Sequence, residues 1–274
     1  MVEDLGGKVP GWGYCESMLV DGNLVVCTQG GAQGTLAAFD KITGELRWKV
    51  ARNYVTPAEG DHSYTTPIAI RHGGKEALLV WGGQHLTAHD AATGATLWSC
   101  GDFNPESKNN WVAVASPVIA GDMAVVPFGR GSRLHGIKLG GKGDVTASHR
   151  AWVREDTGSF VPTPIEYKGR IYLVRDQGRD RGQVECVDPA NGKTLWTGEL
   201  PKGSSTYYSS PAAADGKIYA AREDGVIFVA KIEGGFEVLS ENKMGEPVIA
   251  SPVPVGNRLL IRGEKHLFCI AAPK

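Results

Sequence analysis

The sequence predicts an all-β fold, a β-propeller of about six four-stranded blades in a short or truncated ring. Three observations carry that expectation. A Ser/Thr-Pro landmark recurs at Thr66, Ser116, Thr163, Ser210 and Ser251, with Ser17 in "ESMLVDG" as a degenerate first copy. A second landmark, Asp-x3-Gly-x3-Trp, keeps the same period at Asp40–Trp48, Asp90–Trp98 and Asp188–Trp196. Between the landmarks lie short apolar runs cut by Asp-Gly, Asn-Gly and Thr-Gly steps, which favour tight turns between strands.

The units follow in order. The first, near 14–52, ends in "AFDKITGELRWKV", where Asp40 caps a turn, Gly44 takes a positive φ and Trp48 projects from an outer strand. The second, near 62–100, repeats the plan from "YTTPIAI" to "AHDAATGATLWSC". The third, near 111–154, opens on "VASPVIAG" and keeps only a displaced Trp152, and its "GGKG" (140–143) reads as a hairpin turn. The fourth, near 159–200, restores the motif in "CVDPANGKTLWTG". The fifth, near 206–243, gives three strands as "SSPAAADG", "KIYAAREDG" and "VIFVAKIEGG" but lacks both Asp and Trp. The sixth, near 248–274, stops at "HLFCIAAPK" after a third strand, so residues 1–9 are expected to complete it. On this reading 1–274 is one propeller domain. An incomplete ring would expose a sheet edge and favour a homo-oligomer.

Composition narrows the function classes. A net charge of −1 with no continuous basic stripe argues against nucleic acid as a partner. No apolar run reaches the roughly 18 residues needed for a membrane span. The opening "MVEDLGGKVPGWGY" has neither the basic start nor the apolar core of a signal peptide. Cys15, Cys27, Cys100, Cys186 and Cys269 lie far apart and form no disulfide framework.

The Asp-x3-Gly-x3-Trp units resemble the tryptophan-docking motif of the PQQ-like propeller repeats, found in bacterial quinoprotein dehydrogenases and BamB-type assembly lipoproteins. The resemblance covers all six units, with the full motif in three. It implies a periplasmic or secreted protein; the missing signal peptide leaves a cytoplasmic one as the alternative. It also implies that an enzyme of the group would bind PQQ with Ca²⁺ and stack the quinone between a Trp and a disulfide of adjacent cysteines. This chain has no such Cys pair, so the expectation is that it binds no cofactor.

Site candidates come from propeller geometry, because the outer-to-inner and second-to-third strand connections share one face. Residues just before the Ser/Thr-Pro landmarks would form a collar there, including Tyr14, Tyr64, Trp111, Tyr207 and Tyr208. The alternative is that these aromatics pack between neighbouring blades. Three successive second strands end in Arg175, Arg222 and Arg262, with Arg130 and Arg133 placed similarly, and together they suit a carboxylate or phosphate. Against that, Asp176, Glu223 and Glu264 follow within two residues and offer local ion pairs. Glu16 and His62 are the weak acid–base candidates, His62 standing with Glu59 and Asp61 in "PAEGDHSY". His85 and His89 sit four apart on a strand, roughly 13 Å, too far to share a metal ion. The function expected is therefore a non-catalytic binding or scaffold propeller for a protein or a small polar or anionic ligand. The alternative is an enzyme with its site in the central channel, either PQQ-dependent or acting on carbohydrate.

Overall fold

The computed structural model describes residues 2–31, 35–54, 56–57 and 64–271. It is almost wholly β, as the turn spacing predicts. A short helix α1 (Val2–Leu5) precedes the first sheet, formed by β1 (Leu19–Asp21), β2 (Leu24–Gly30), β3 (Thr35–Asp40) and β4 (Leu46–Val50) in that order. The second sheet is β5 (Ile68–His72), β6 (Lys75–Gly82), β7 (His85–Asp90) and β8 (Thr96–Cys100). The third unit gives β9 (Val118–Ala120), β10 (Met123–Phe128) and β11 (Arg133–Lys138), then β12 (Gly143–Asp144), α2 (Thr146–His149) and β13 (Arg150–Arg154).

The fourth sheet is β14 (Ile165–Tyr167), β15 (Arg170–Val174), β16 (Gln183–Val187) and β17 (Thr194–Glu199). The fifth is β18 (Ala212–Ala214), β19 (Lys217–Arg222), β20 (Val226–Lys231) and β21 (Glu237–Lys243). The sixth has three strands, β22 (Val253–Val255), β23 (Arg258–Arg262) and β24 (Leu267–Ala271). The chain divides into two compact units, 1–116 with 137–151 and 117–136 with 152–274.

Two expectations need correction. Among the described residues, 2–9 do not form the fourth strand of the sixth sheet. Val2–Leu5 is helical, and the Lys8 amide donates to the Gln29 carbonyl at the end of β2 (3.2 Å). Gly6, Gly7 and Gly31 permit that contact, since a Cβ on Gly7 would stand 2.9 Å from Gln29 Cβ. Nor is "GGKG" a hairpin turn: Gly143 begins β12, which pairs in parallel with β8, Gly143 opposite Trp98 and Asp144 opposite Ser99. Two hydrogen bonds hold it there, Val145 N–H to the Ser99 carbonyl (2.8 Å) and Gly101 N–H to the Thr146 hydroxyl (2.8 Å).

The middle strands form the core because both of their faces are covered, so they read as continuous apolar runs rather than alternating ones. β10, Met-Ala-Val-Val-Pro-Phe, is buried throughout. In the first unit Val26, Leu36 and Ala38 meet Leu78 and Val80. In the second, Val125 and Leu134 meet Ile171 and Leu173, and Tyr172 and Cys186 pack with Ile218 and Phe228.

The repeated motif fastens neighbouring sheets. Asp40 accepts the Ile42 and Thr43 amides (both 2.9 Å) and an Arg47 guanidinium (2.7 Å), closing its turn. Trp48 leaves its own sheet and donates Nε1–H to the Ala91 carbonyl (3.0 Å) within the Asp90–Gly94 turn of the second sheet. Trp152, displaced in sequence, makes the same contact with the Pro189 carbonyl (2.9 Å) in the Asp188–Gly192 turn. Trp98 has no such turn to reach, because the third unit lacks the Asp; its ring is fully buried and its Nε1–H finds no acceptor among the described residues. Trp196 meets Phe236 instead (ring centroids 5.7 Å).

Candidate functional site

Two loops of the second compact unit build the most developed polar site. One joins β15 to β16 and the other joins β17 to β18. The first is closed by Arg175 N–H to the Gln183 carbonyl (2.9 Å) and Gly182 N–H to the Arg175 carbonyl (2.8 Å). Gly178 supplies a positive φ of 71° at its tip. The Asp176 carboxylate is buried and turns away from Arg175, accepting the Phe160 and Val161 amides (2.8 and 3.1 Å). The second loop is tied to the first by the Thr206 hydroxyl, which donates to the Asp176 carbonyl (3.0 Å). The Glu223 amide donates to the Thr206 carbonyl (2.9 Å) and links both to the end of β19.

Between these loops lies a cavity of about 400 Å³ lined by Asp176, Gln177, Arg181, Ser205, Tyr208 and Glu223, among others. A smaller cleft of about 80 Å³ shares Gly178, Arg181 and Ser205 and adds Arg179, Lys202 and Tyr207. Arg181 donates to the Gly203 carbonyl (3.1 Å), which orients its guanidinium. Arg179, Arg181 and Lys202 form no ion pair among the described residues. With hydroxyls beside them, three uncompensated cations suit a carboxylate, a phosphate or a polyhydroxyl group.

The arginines expected to form an anion-binding rim are mostly taken up locally. Arg222 makes a bidentate pair with Asp224 (both 2.9 Å) and donates to the Pro201 carbonyl (3.0 Å). Arg175 pairs with Asp180 (3.5 Å) and Arg133 with Glu155 (2.8 Å). Arg130 stacks over the Phe160 ring at 4.4 Å, and Arg262 is exposed and donates to the His266 carbonyl (3.3 Å). These partners are not the immediately following acids: Arg175 passes Asp176 to reach Asp180, and Arg222 passes Glu223 to reach Asp224. Of the collar aromatics, Tyr207 lines only the smaller cleft. It is buried against Phe228, and burial pushes its phenol up to about 12. Tyr208 reaches the cavity. Arg179, Arg181, Gln177, Lys202 and Ser205 were missed; the signals were the alternating charges of "RDQGRDRG" and the hydroxyl-rich "PKGSST".

In the first compact unit, Glu16 lies half-buried near Tyr14 and Cys27. Burial raises its carboxyl above the usual range, and one of its oxygens has no hydrogen-bond partner among the described residues. The Tyr14 phenol is raised too, first by burial and then by Glu16. Trp111 is buried, with the Lys108 ammonium 4.4 Å over its ring, so it offers no open face to a ligand. The Tyr64 amide donates to the Ala113 carbonyl (3.0 Å). His62, with Glu59 and Asp61, lies outside the described residues. His89 is buried, its Nδ1–H donating to the Gly94 carbonyl (2.9 Å) and its Nε2 meeting the Thr87 hydroxyl (2.9 Å).

The residues present do not fit a quinone cofactor. All five cysteines are free and none is adjacent to another, and the face of Trp111 is covered. Among the described residues no three His, Cys, Asp or Glu side chains converge as metal ligands.

The family model described as "Outer membrane protein assembly factor BamB" matches residues 7–179 and 180–272. No curated protein matches the chain in sequence. Solved structures do. BamB from Moraxella catarrhalis superposes with a TM-score of 0.52 at 17% identity, over 91% of this chain and 82% of that one. The computationally designed Ika8 protein gives 0.66 at 15% identity, over 94% and 71%. Quinohemoprotein alcohol dehydrogenase from Comamonas testosteroni gives 0.63 at 16% identity, over 97% of this chain but 46% of its own length. At these identities the likeness is one of fold, the β-propeller.

Proposed function

Because the chain belongs to the family described as outer membrane protein assembly factor BamB, we propose that it is a non-catalytic binding propeller. On this reading 1–274 is one propeller domain whose loop face binds an acidic segment of a protein partner or a small anionic ligand. The observation that carries it is the cavity between the 176–181 and 201–208 loops with the smaller cleft beside it: Arg181 and Ser205 line both, Arg179 and Lys202 line the cleft, and none of the three cations is ion-paired among the described residues. Glu223, which also lines the cavity, selects against a bare polyanion and favours a ligand that also donates hydrogen bonds. A periplasmic or secreted setting goes with this reading, and no helix among the described residues is long and apolar enough to cross a membrane.

Calorimetric titration of the whole chain with a short Glu/Asp-rich peptide, and separately with inorganic phosphate, tests it. A charge-assisted hydrogen bond is worth about 1.5–3 kcal/mol, so Arg181→Ala should weaken binding of the acidic peptide roughly tenfold or more. Equal binding by the wild type and the variant would overturn the assignment of this cavity.

A second reading rests on Glu16, whose raised carboxyl and unpartnered oxygen suit an acid–base role on a carbohydrate. Oligosaccharide hydrolysis by the wild type that is lost in Glu16→Gln would favour it. Absence of hydrolysis in both would leave the binding reading standing.

A further inference from the structure

The cavity between the 176–181 and 201–208 loops carries a charge of each sign that nothing nearby cancels. Arg181 and Glu223 both line it, and among the described residues neither forms an ion pair, with the other or with any third group. Their chain neighbours would be the natural partners, and both are engaged elsewhere. Asp180 is held by Arg175 (3.5 Å), and Arg222 is held by Asp224 through two bonds of 2.9 Å. Asp176, the other acid on the wall, is spent on the Phe160 and Val161 amides (2.8 and 3.1 Å).

Three residues of chain set the two charges apart. The Arg181 guanidinium is fastened at one end, on the Gly203 carbonyl (3.1 Å), and the Glu223 amide at the other, on the Thr206 carbonyl (2.9 Å). A step of three residues reaches at most about 10 Å. Arg222 donates to the Pro201 carbonyl (3.0 Å) and the Thr206 hydroxyl to the Asp176 carbonyl (3.0 Å), so both ends of this stretch are tied down before any ligand arrives. Charge-assisted contacts take about 2.8 Å at each end. What fits between them is a small molecule whose own charges lie a few ångströms apart.

The rest of the wall agrees with that polarity. Tyr208, two residues beyond the Thr206 anchor, lines the same cavity with its ring 37% exposed. A carboxylate beside an aromatic face attracts an ammonium group. Ser204 and Ser205, next to the Gly203 anchor, put hydroxyls beside the guanidinium, a setting for a carboxylate. A simple anion would meet Arg181 but be repelled by Glu223, and a simple cation the reverse. A ligand bearing both charges satisfies each wall.

Building on the binding reading of this cavity, we propose that its ligand is a small zwitterion, of the class of a free α-amino acid. The ammonium group sits against Glu223 and Tyr208, and the carboxylate sits on Arg181 among the Ser204 and Ser205 hydroxyls. The cavity, about 400 Å³, has the size of a small-molecule site.

The test uses the whole chain. Each of the standard amino acids is added at millimolar concentration in a thermal-shift screen, and the one that raises Tm most is titrated by calorimetry beside its N-acetyl and α-amide derivatives. Each derivative lacks one of the two charges, so each should bind roughly tenfold or more weakly than the free amino acid. Glu223→Gln, with an unchanged circular dichroism spectrum, should bring the free and N-acetylated forms to the same affinity while leaving the N-acetylated form bound. Arg181→Ala should likewise equalise the free amino acid and its α-amide. Tyr208→Ala should weaken the free amino acid more than the N-acetylated form. No amino acid raising Tm, or equal binding of the free and N-acetylated forms by the wild type, overturns the proposal. If the acidic peptide still binds and Arg181→Ala abolishes that binding, the zwitterion alone falls and the cavity keeps its anionic partner. If neither the peptide nor any amino acid binds, both readings fall together.

Discussion

Substituting Gly94 and Trp48 together tests whether the repeated motif fastens one sheet to the next. Gly94 has φ of +75°, and a Cβ there would stand 2.6 Å from Cε3 of the Trp48 ring. Gly94→Ala therefore carries a left-handed backbone cost of about 1 kcal/mol and an overpacking cost of about 2 kcal/mol. Trp48→Ala removes a half-buried ring, about 2 kcal/mol, and the Ala91 hydrogen bond, about 1 kcal/mol. In the double variant the overpacking vanishes because its partner is gone, so the sum falls from about 6 to about 4 kcal/mol. The expected coupling is thus about 2 kcal/mol, well above the 0.3–0.5 kcal/mol scatter of independent sites. Urea unfolding followed by far-ultraviolet circular dichroism measures it. Hydrogen exchange across 86–98 would assign the transition to the second sheet. Additive costs would refute the fastening argument, since they would mean that ring and turn do not touch in solution.

Three further outcomes are expected. The Arg47 guanidinium and two turn amides hold the Asp40 carboxyl well below its usual range, so its contribution is complete above the unfolded carboxyl value and is lost on acidification through the folded one. Asp40→Asn should flatten the acid limb of a Tm-against-pH curve. Burial lowers the His89 imidazole to about 4, so folding is opposed by proton uptake in the unfolded chain as pH falls from about 6.5 toward 4, by up to about 3 kcal/mol; His89→Gln should remove that slope, and NMR titration of the ring checks the value directly. Gly225 has φ of +85° and a Cβ there would strike the Glu246 carbonyl, so Gly225→Ala should cost more than about 3 kcal/mol and lower Tm by several degrees in calorimetry.

The strand plan was legible because its punctuation is chemical. Asp215 and Gly216 both take positive φ, 51° and 71°, as the tight hairpin between β18 and β19 demands. β12 was not legible: two residues pairing in parallel with a strand of the preceding unit leave no periodicity to read. The role of Trp152 was hidden for a related reason. Its own unit lacks the Asp turn, but the turn it docks on belongs to the next one. Among candidate site residues the partners were not legible: Arg175 meets Asp180 and Arg222 meets Asp224. Whether Arg222 faces solvent or Asp224 depends on how tightly the Asp224-Gly225 turn closes. The cavity was illegible because its two walls come from loops some 25 residues apart, and only the pairing of sheets four and five brings Arg181 beside Ser205.

The turn and the indole that grips it never belong to the same sheet. The first unit thus plugs into a socket on the second, and the third into a socket on the fourth. Duplicating or deleting the first and second units together, or the third and fourth together, keeps each plug with its socket, whereas a cut inside such a pair strands one of them. The third unit shows what a lost socket leads to: the Trp98 indole stays buried without an acceptor, and a stray strand lies across the gap. Growth and shrinkage by such pairs of units is thus the kind of length change this architecture absorbs at least cost.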